Sequence, residues 1–138
     1  MSHPATDVAG PTSTGLPANV AGALAYVLGP ITGIAFYVLE KDSRFVRFHA
    51  AQSIAVGVAL IALSIALSIL GTVLAFIPVL GWIVALLMSL GLGLLGFVLW
   101  LMLMWKAYNG SEWEAPIAGP FARKMVPRAP VSTTPLDR

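Results

Sequence analysis

The polar side chains that could do chemistry are concentrated in residues 40–49, which read EKDSRFVRFH. The one imidazole in this run, His49, is a candidate axial ligand for a haem or a pigment, because a neutral imidazole facing a membrane can coordinate such a group. A single histidine is not a metal site, since metals need several ligands. The sequence favours a simpler role for His49, which is hydrogen bonding at a membrane interface beside Gln52.

Residues 40–49 also place positive charge next to an apolar stretch. Asp42 or Ser43 can cap a helix that begins here, and Arg44 and Arg47 then lie on one face of that helix. Basic side chains beside the apolar stretch are expected to contact anionic lipid headgroups or a cytoplasmic partner. The set predicted for this contact is Arg44, Arg47, His49 and Lys106.

Elsewhere the chain offers little that could catalyse a reaction. Its other hydroxyl groups lie mostly in apolar segments that hold no carboxylate or amine to act as a base, and a serine without a base is not a nucleophile. There is no Cys in the chain, so thiol chemistry and disulfides are excluded. We therefore expect no enzymatic activity, no metal site and no cofactor, and the net charge of +2 is too small to indicate nucleic-acid binding.

A long stretch of the sequence without charged residues indicates which kind of helices position these side chains. From Phe48 to Trp105 the chain contains no Asp, Glu, Lys or Arg. A charge near the centre of a bilayer costs about 2.5–3.5 kcal/mol on insertion scales, so a lipid-spanning chain avoids it. Only 10% of the residues are charged, against about 25% in soluble domains. The sequence therefore predicts an all-α integral membrane protein.

Three segments are long enough to span, because about 20 apolar residues cross a hydrocarbon core of about 30 Å. Pro78 and Gly81 mark a turn between the last two, and Pro30 predicts a kink in the first, since it removes a hydrogen bond to the Tyr26 carbonyl. The predicted organisation is a flexible polar tail over residues 1–19, transmembrane helices over 20–39, 50–76 and 82–105, a basic loop or interfacial helix over 40–49, an outer turn over 77–81 and a Pro-rich cytoplasmic tail over 106–138.

The basic residues predict an orientation. All eight lie outside the charge-free stretch, and with three spans they all fall on one side of the membrane. The positive-inside rule places that side in the cytoplasm. The prediction is a three-helix bundle with its N-terminus outside and its C-terminus inside.

Small residues recur along every predicted span. In lipid, helices associate through close packing, which small side chains permit. These rows can pack the three helices against one another, or present a surface to a second copy or another membrane protein, and the two interpretations are compatible. The predicted helix-packing residues are Gly29, Gly33, Ser53, Gly57, Ser64, Ser68, Gly71, Gly81, Ala85, Ser89 and Gly93.

Several local sequences carry a family resemblance that covers about residues 20–125. They are Gly29-Pro30-Ile31-Thr32-Gly33-Ile34, Leu39-Glu40-Lys41, Arg44 to Ser53, Ile77 to Trp82, and Lys106-Ala107-Tyr108-Asn109-Gly110 followed by Trp113, Pro116-Ile117 and Gly119. Together they resemble a family of small three-span bacterial and archaeal membrane proteins of unknown function. That family is distantly similar to the inner-envelope protein-import component of chloroplasts. The resemblance implies a prokaryotic inner membrane and supplies no catalytic or cofactor residues.

The leading functional hypothesis is a non-enzymatic accessory or scaffold subunit that packs through its small-residue faces in a larger membrane complex. One alternative is an oligomeric pore or protein-translocation component, in which serines of the second and third spans line a path. A second alternative is a pigment- or haem-binding membrane subunit that uses His49 as its ligand.

Overall fold

The computed structural model describes residues 10–127, and within this range all regular structure is helical. The helices are α1 (Ala18–Leu24), α2 (Pro30–Leu39), α3 (Arg44–Leu74), α4 (Leu80–Tyr108) and α5 (Ala118–Met125). The all-α membrane fold is thereby confirmed. The tail residues 1–9 and 128–138 lie outside the described range.

Helices α3 and α4 form an antiparallel hairpin that is long and apolar enough to cross a membrane. Their middle portions expose large aliphatic side chains, such as Ile69 and Leu86, which a water-soluble protein would bury. Both helices are longer than predicted. Helix α3 begins at Arg44 because the Ser43 side chain caps it, accepting a hydrogen bond from the Val46 N–H.

The connection between α3 and α4 is the predicted short, uncharged turn. Helix α3 ends at Leu74 and α4 starts at Leu80, with Pro78 between them. Gly81 is required here by close approach, since the Leu74 carbonyl occupies the space that a side chain would need. The connection occupies residues 75–79 and overlaps the predicted turn over residues 77–81.

The segment predicted as the first transmembrane helix instead forms two short helices, which we call the α1–α2 hairpin (residues 18–39). Gly29 adopts a φ of 59° at the reversal, a conformation that glycine reaches without a steric penalty, and Pro30 starts α2. Pro30 packs beside Gly57 of α3, whereas the Glu40 end of α2 meets Ser43. Helix α2 therefore runs back alongside α3, and the predicted kink is a full reversal.

Both ends of the α1–α2 hairpin lie at the same end of the molecule. Before it, the Ser13 N–H donates to both carboxylate oxygens of Glu40, at 2.9 and 3.1 Å. At the start of α1, the Asn19 amide donates to the Tyr108 carbonyl at 3.0 Å. We call this end, which holds residues 10–17, 40–48 and 108–127, the packed end.

This geometry corrects two predictions. The segment 20–39 does not cross the molecule from one end to the other, because its contacts bring it back to its starting level. The described N-terminal residues therefore share an end with the C-terminal segment, and an N-terminus opposite the C-terminus is wrong for residues 10–17. Residues 10–17 are also not a free tail, since Ser13 is tied to Glu40 and to Asp42.

After α4 the chain folds back rather than leaving the molecule. Helix α5 packs on the first turns of α3, where Ala122 and Val126 form a buried cluster with Phe48 and Ala51. Arg123 of α5 lies over the Phe48 ring, with its Cζ atom 3.9 Å from the ring centroid. The predicted Pro-rich tail thus contributes an ordered short helix to the packed end as far as residue 127.

Candidate functional site

A chain of hydrogen bonds lies just inside the packed end. The Gln52 side-chain amide donates to the Tyr26 hydroxyl at 3.1 Å, and that hydroxyl lies 2.9 Å from Nδ1 of His49. The Tyr26 oxygen accepts from Gln52, and the direction of its hydrogen bond with His49 depends on which ring nitrogen of His49 carries the proton. We call these three residues the polar core.

Gln52 also fastens the segment that follows α4. Its amide nitrogen donates to the Trp113 carbonyl and its amide oxygen accepts from the Ala115 N–H, each at 3.0 Å. One side chain therefore satisfies two backbone groups of residues 113–115 while binding the hydroxyl of Tyr26. Buried backbone groups without partners cost about 1–3 kcal/mol each, so Gln52 holds this segment in place.

The reversal of the α1–α2 hairpin is bound to both long helices. The indole N–H of Trp100 on α4 donates to the Tyr26 carbonyl at 2.7 Å. The hydroxyl of Ser53 on α3 donates to the Gly29 carbonyl at 2.8 Å. Both carbonyls also accept backbone N–H groups, Tyr26 from Gly29 and Gly29 from Gly33. The two side chains therefore add a second hydrogen bond to each carbonyl and bind the break to both long helices.

His49 is enclosed by aromatic rings. The rings of Phe45, Phe48 and Tyr26 meet it edge-on, with centroids 4.5–5.7 Å away, and the residue is 0% exposed. The prediction that His49 contacts lipid headgroups or a partner is therefore wrong, because the turns of α1 and the 109–115 segment cover it. Coordination of a haem or pigment by His49 stays a prediction, one that would require the ring to give up its buried position.

Glu40 is a second buried polar group, at the junction of α2 and α3. Its carboxylate accepts hydrogen bonds from the N–H groups of Ser13, Asp42 and Ser43, at 2.9–3.1 Å. Burial by itself would raise the pKa of Glu40, but these donors favour the charged form, and the net effect is a pKa below the ordinary value. Glu40 thus links the N-terminal segment to the entry of α3.

Basic side chains surround the packed end at its surface. Arg44 donates to the Pro127 carbonyl, and the Arg47 guanidinium lies 4.8 Å from the centroid of the Tyr37 ring. Arg123 pairs with Glu112 and Glu114 at 2.9 and 3.0 Å. Arg44, Arg47 and Lys106 are all partly exposed at this end, where the sequence predicts contact with anionic lipid.

The small residues divide into three groups by location. A Cβ atom on Gly33 would lie 2.9 Å from the Ala50 carbonyl, and one on Gly57 would lie 2.6 Å from Cδ of Pro30, so Gly29, Gly33, Ser53 and Gly57 seat the hairpin on α3. A Cβ on Gly71 would lie 3.5 Å from that of Ala85, and one on Gly81 would overlap the Leu74 carbonyl, so Gly71, Gly81 and Ala85 join α3 to α4. The third group faces outwards or only partly inwards and consists of Ser64, Ser68, Ser89 and Gly93.

The polar core was only partly foreseen. Hydrogen bonding of His49 near Gln52 follows from their three-residue spacing on one helix face, but the participation of Tyr26, Trp100 and the 113–115 backbone does not. These residues are 23 or more positions away from their partners along the chain. The Gly29-Pro30 pair was the available signal, since a proline interrupts helical hydrogen bonding and marks where the segment breaks.

A family model described as the magnetosome magnetite crystal formation protein family, MamF/MmsF, matches residues 13–122. The match spans the α1–α2 hairpin, both long helices and most of α5. It therefore includes the whole of the polar core.

Individual relatives are archaeal. A UPF0132 membrane protein of Methanocaldococcus jannaschii is 46% identical over 83% of this chain and 94% of its own length. A UPF0132 membrane protein of Archaeoglobus fulgidus is 44% identical over 78% of this chain and 94% of its own length. A second such protein of Methanocaldococcus jannaschii is 33% identical over 80% of this chain. No solved structure matches the chain.

These relatives bear on the resemblance drawn from the sequence. They confirm a family of small membrane proteins that includes archaeal members. They lend no support to the more distant similarity with the chloroplast import component.

Proposed function

Since the chain belongs to the MamF/MmsF family, whose relatives described above are membrane proteins, we propose that it is a non-enzymatic accessory or scaffold subunit of a membrane assembly. The observation that carries the proposal is the division of its small residues. One set forms contacts between helices of the same chain. Ser89 and Gly93, four residues apart on α4, instead face outwards. A Cβ atom on Gly93 would meet nothing within 4 Å.

An outward small-residue pair on a membrane helix suits close approach by another helix, because it lets two backbones come together. The occupant in this proposal is a second copy of the chain or another membrane subunit. The aliphatic side chains on either side, including Leu86 and Leu90, are exposed and supply the flanking contacts.

The hydrogen bonds of the serines favour a scaffold over a pore. A pore wall needs polar groups directed into a continuous path. Ser53 instead donates to Gly29, Ser64 donates to Ile61, and Ser68 donates to Ser64. These hydroxyl protons are bound to backbone carbonyls and leave no continuous polar line along α3.

The family description mentions magnetite crystal formation, and for this chain we propose a contribution made through the membrane rather than through a mineral-binding face. Hard iron ions prefer clustered oxygen ligands such as carboxylates. Within residues 10–127 no group of three or more His, Cys, Asp or Glu side chains is placed to hold a metal ion. The turn between the long helices, residues 75–79, is apolar and uncharged.

The scaffold proposal is tested by the pair Gly93→Leu and Gly91→Leu. Both glycines lie on α4, both are exposed, and neither would bring a Cβ within 4 Å of another group, but they point to opposite sides of the helix. The mass of each protein–detergent complex in mild detergent is the measurement. We expect an assembly that Gly93→Leu dissociates and Gly91→Leu leaves intact.

Two results would count against the scaffold proposal. One is a monomeric wild-type protein with no co-purifying membrane protein. The other is equal behaviour of the two glycine variants, since that would remove the specific role of the Ser89–Gly93 face.

A further inference from the structure

The molecule is wider at one end of its membrane-crossing hairpin than at the other. At the level of Ser53, the chain is four helices across, because α1 and α2 pack beside α3 and α4. At the level of Gly71 and Ala85, the helices present among residues 10–127 are α3 and α4. With helix diameters of about 10 Å, each helix occupies roughly 80 Å² in the plane of the membrane.

Aromatic residues indicate how the membrane lies on the hairpin. Trp82 and Trp105 on α4 are 71% and 67% exposed, as expected for side chains at the two interfaces of a bilayer. They are separated by about 35 Å along the helix axis, which matches a hydrocarbon core of about 30 Å crossed with a moderate tilt.

The depth of the α1–α2 hairpin follows from the pairing of the long helices. Gly71 lies beside Ala85 and Leu60 beside Gly96, so the α3 residue level with Trp105 is Ala51. The hairpin reverses beside Gly57, six residues further along α3, or about 9 Å deeper. One leaflet of the core is about 15 Å thick, so the hairpin ends within the leaflet at the packed end.

The outward face of the hairpin is made for acyl chains. Its exposed side chains are aliphatic, and charge begins only at the α2–α3 loop. The exposed aliphatic residues are Leu28, Ile31, Ile34, Val38 and Leu39. This surface continues the apolar surfaces of α3 and α4, and an apolar helix face of this kind buries itself about 5–10 Å into the boundary between headgroups and acyl chains.

The extra width is fixed rather than adjustable. The reversal is held by Trp100 and Ser53, its interior by Tyr26 in the polar core, and its exit by Glu40. The hairpin is therefore held against the long helices at its tip, its middle and its end. A membrane around the protein must accommodate a body with roughly 160 Å² more area in one leaflet than in the other.

We propose that this chain recognises bilayer curvature, with preference for membranes whose leaflet at the packed end is convex. Convex bending separates the lipids of that leaflet and provides the area that the shallow hairpin needs, just as interfacial apolar helices bind in a curvature-dependent manner. The partner is thus a strongly curved phospholipid bilayer. The inference is independent of the scaffold role, since a monomer would show the same preference.

Orientation in vesicles of different size tests the proposal. The chain has no Cys, so Lys41→Cys provides a single label site at the packed end. The protein is reconstituted into small sonicated and large extruded vesicles of the same phosphatidylethanolamine and phosphatidylglycerol mixture, and labelled with a membrane-impermeant maleimide. We expect the externally labelled fraction to be about half in large vesicles and to rise well above half in small ones. Equal fractions in both sizes would overturn the proposal.

A variant distinguishes two causes of a dependence on vesicle size: insertion of the α1–α2 hairpin into the membrane, and the volume of the packed end outside the membrane. Replacing Ile31, Ile34 and Val38 by Ser makes the outward face of α2 polar but leaves the contacts with α3 in place, since these side chains are exposed. If shallow insertion of the hairpin causes the preference for curved membranes, the externally labelled fraction of this variant will not depend on vesicle size. Retention of the full size dependence would assign it to volume outside the membrane and contradict the proposal.

The preference for curvature can also be measured on the wild-type protein, so that the result does not depend on the folding of a variant. Membrane tubes pulled from giant vesicles that carry the packed end outside should be enriched in the protein relative to a lipid dye, whereas equal density on tube and vesicle would refute the preference.

Discussion

At the scale of single residues, the polar groups of this chain act as fasteners between segments that are distant in sequence. Gln52 binds the Tyr26 hydroxyl and two backbone groups of residues 113–115. Glu40 binds the N-terminal segment and the start of α3. Neither residue is exposed, so each is positioned to stabilise the packed end rather than to meet a substrate.

Glu40 predicts a pH dependence of stability. Because its pKa in the folded protein lies below the ordinary value of 4.5, the charged carboxylate stabilises the fold above about pH 4.5, and this contribution is lost as the pH falls through the lowered pKa. Glu40→Gln should remove it. We expect the variant to unfold more easily at neutral pH, by about 1–3 kcal/mol, and the difference from wild type to shrink below pH 4.5.

Thermal unfolding in detergent, followed by tryptophan fluorescence at several pH values, measures this effect. Asp42→Asn is the matched control, since Asp42 is exposed and accepts from the Ser13 hydroxyl. An equal loss of stability in the two variants, or a difference between Glu40→Gln and wild type that does not vary with pH, would argue against the assigned role of Glu40.

At the scale of the elements, glycine determines how closely the α1–α2 hairpin approaches α3. A Cβ atom on Gly57 would lie 2.6 Å from Cδ of Pro30, whereas one on Gly91 of α4 would meet nothing within 4 Å. Gly57→Ala should therefore push the hairpin away from α3 and destabilise the packed end by about 1–3 kcal/mol. Gly91→Ala should be neutral by comparison.

The unfolding midpoint and limited proteolysis of residues 10–40 report this displacement. Greater cleavage of the hairpin in Gly57→Ala than in Gly91→Ala is the expected result. If the two variants are cleaved alike, the hairpin does not depend on the close contact at Gly57.

Helices defined by interactions between residues close in sequence could be predicted, and those defined by contacts between distant residues could not. The long helices follow from composition and local signals, namely the charge-free stretch, the Ser43 cap and the Pro78 turn. The α1–α2 hairpin does not, because residues 20–39 have the length and apolar content of a span. Gly29 and Pro30 mark the break locally, but the full reversal is bound by Trp100, which lies 74 residues from the Tyr26 carbonyl, and local patterns carry no record of that contact.

At the scale of the whole molecule, the positions of the basic residues predicted the topology better than the number of apolar segments did. The six basic residues within residues 10–127 lie at the packed end or beside it, as predicted, and they are Lys41, Arg44, Arg47, Lys106, Arg123 and Lys124. The other two, Arg128 and Arg138, lie outside the described residues. With two crossing helices, the positive-inside rule predicts that this end is cytoplasmic. We now expect both ends of the described chain, residues 10–17 and 109–127, to be cytoplasmic.

Single cysteines test this topology directly, since the chain has none of its own. Leu16→Cys and Lys41→Cys should react with an impermeant maleimide in inside-out vesicles, and Phe76→Cys, at the exposed turn between the long helices, in right-side-out ones. Labelling of Leu16→Cys and Lys41→Cys from opposite sides would restore the three-span topology and contradict the arrangement described above.

The link between Asn19 and the Tyr108 carbonyl joins positions 89 residues apart, and it has a consequence for biosynthesis. The α1–α2 hairpin leaves the ribosome first and α3 follows it directly, but the hairpin's partners on α4, Trp100 and Tyr108, are made much later. Chains with such distant contacts close slowly, and partly made chains expose unpaired surface. The contacts of the hairpin with α4 must therefore wait until synthesis is nearly finished, and a chain truncated before residue 100 should be a substrate for quality-control proteolysis.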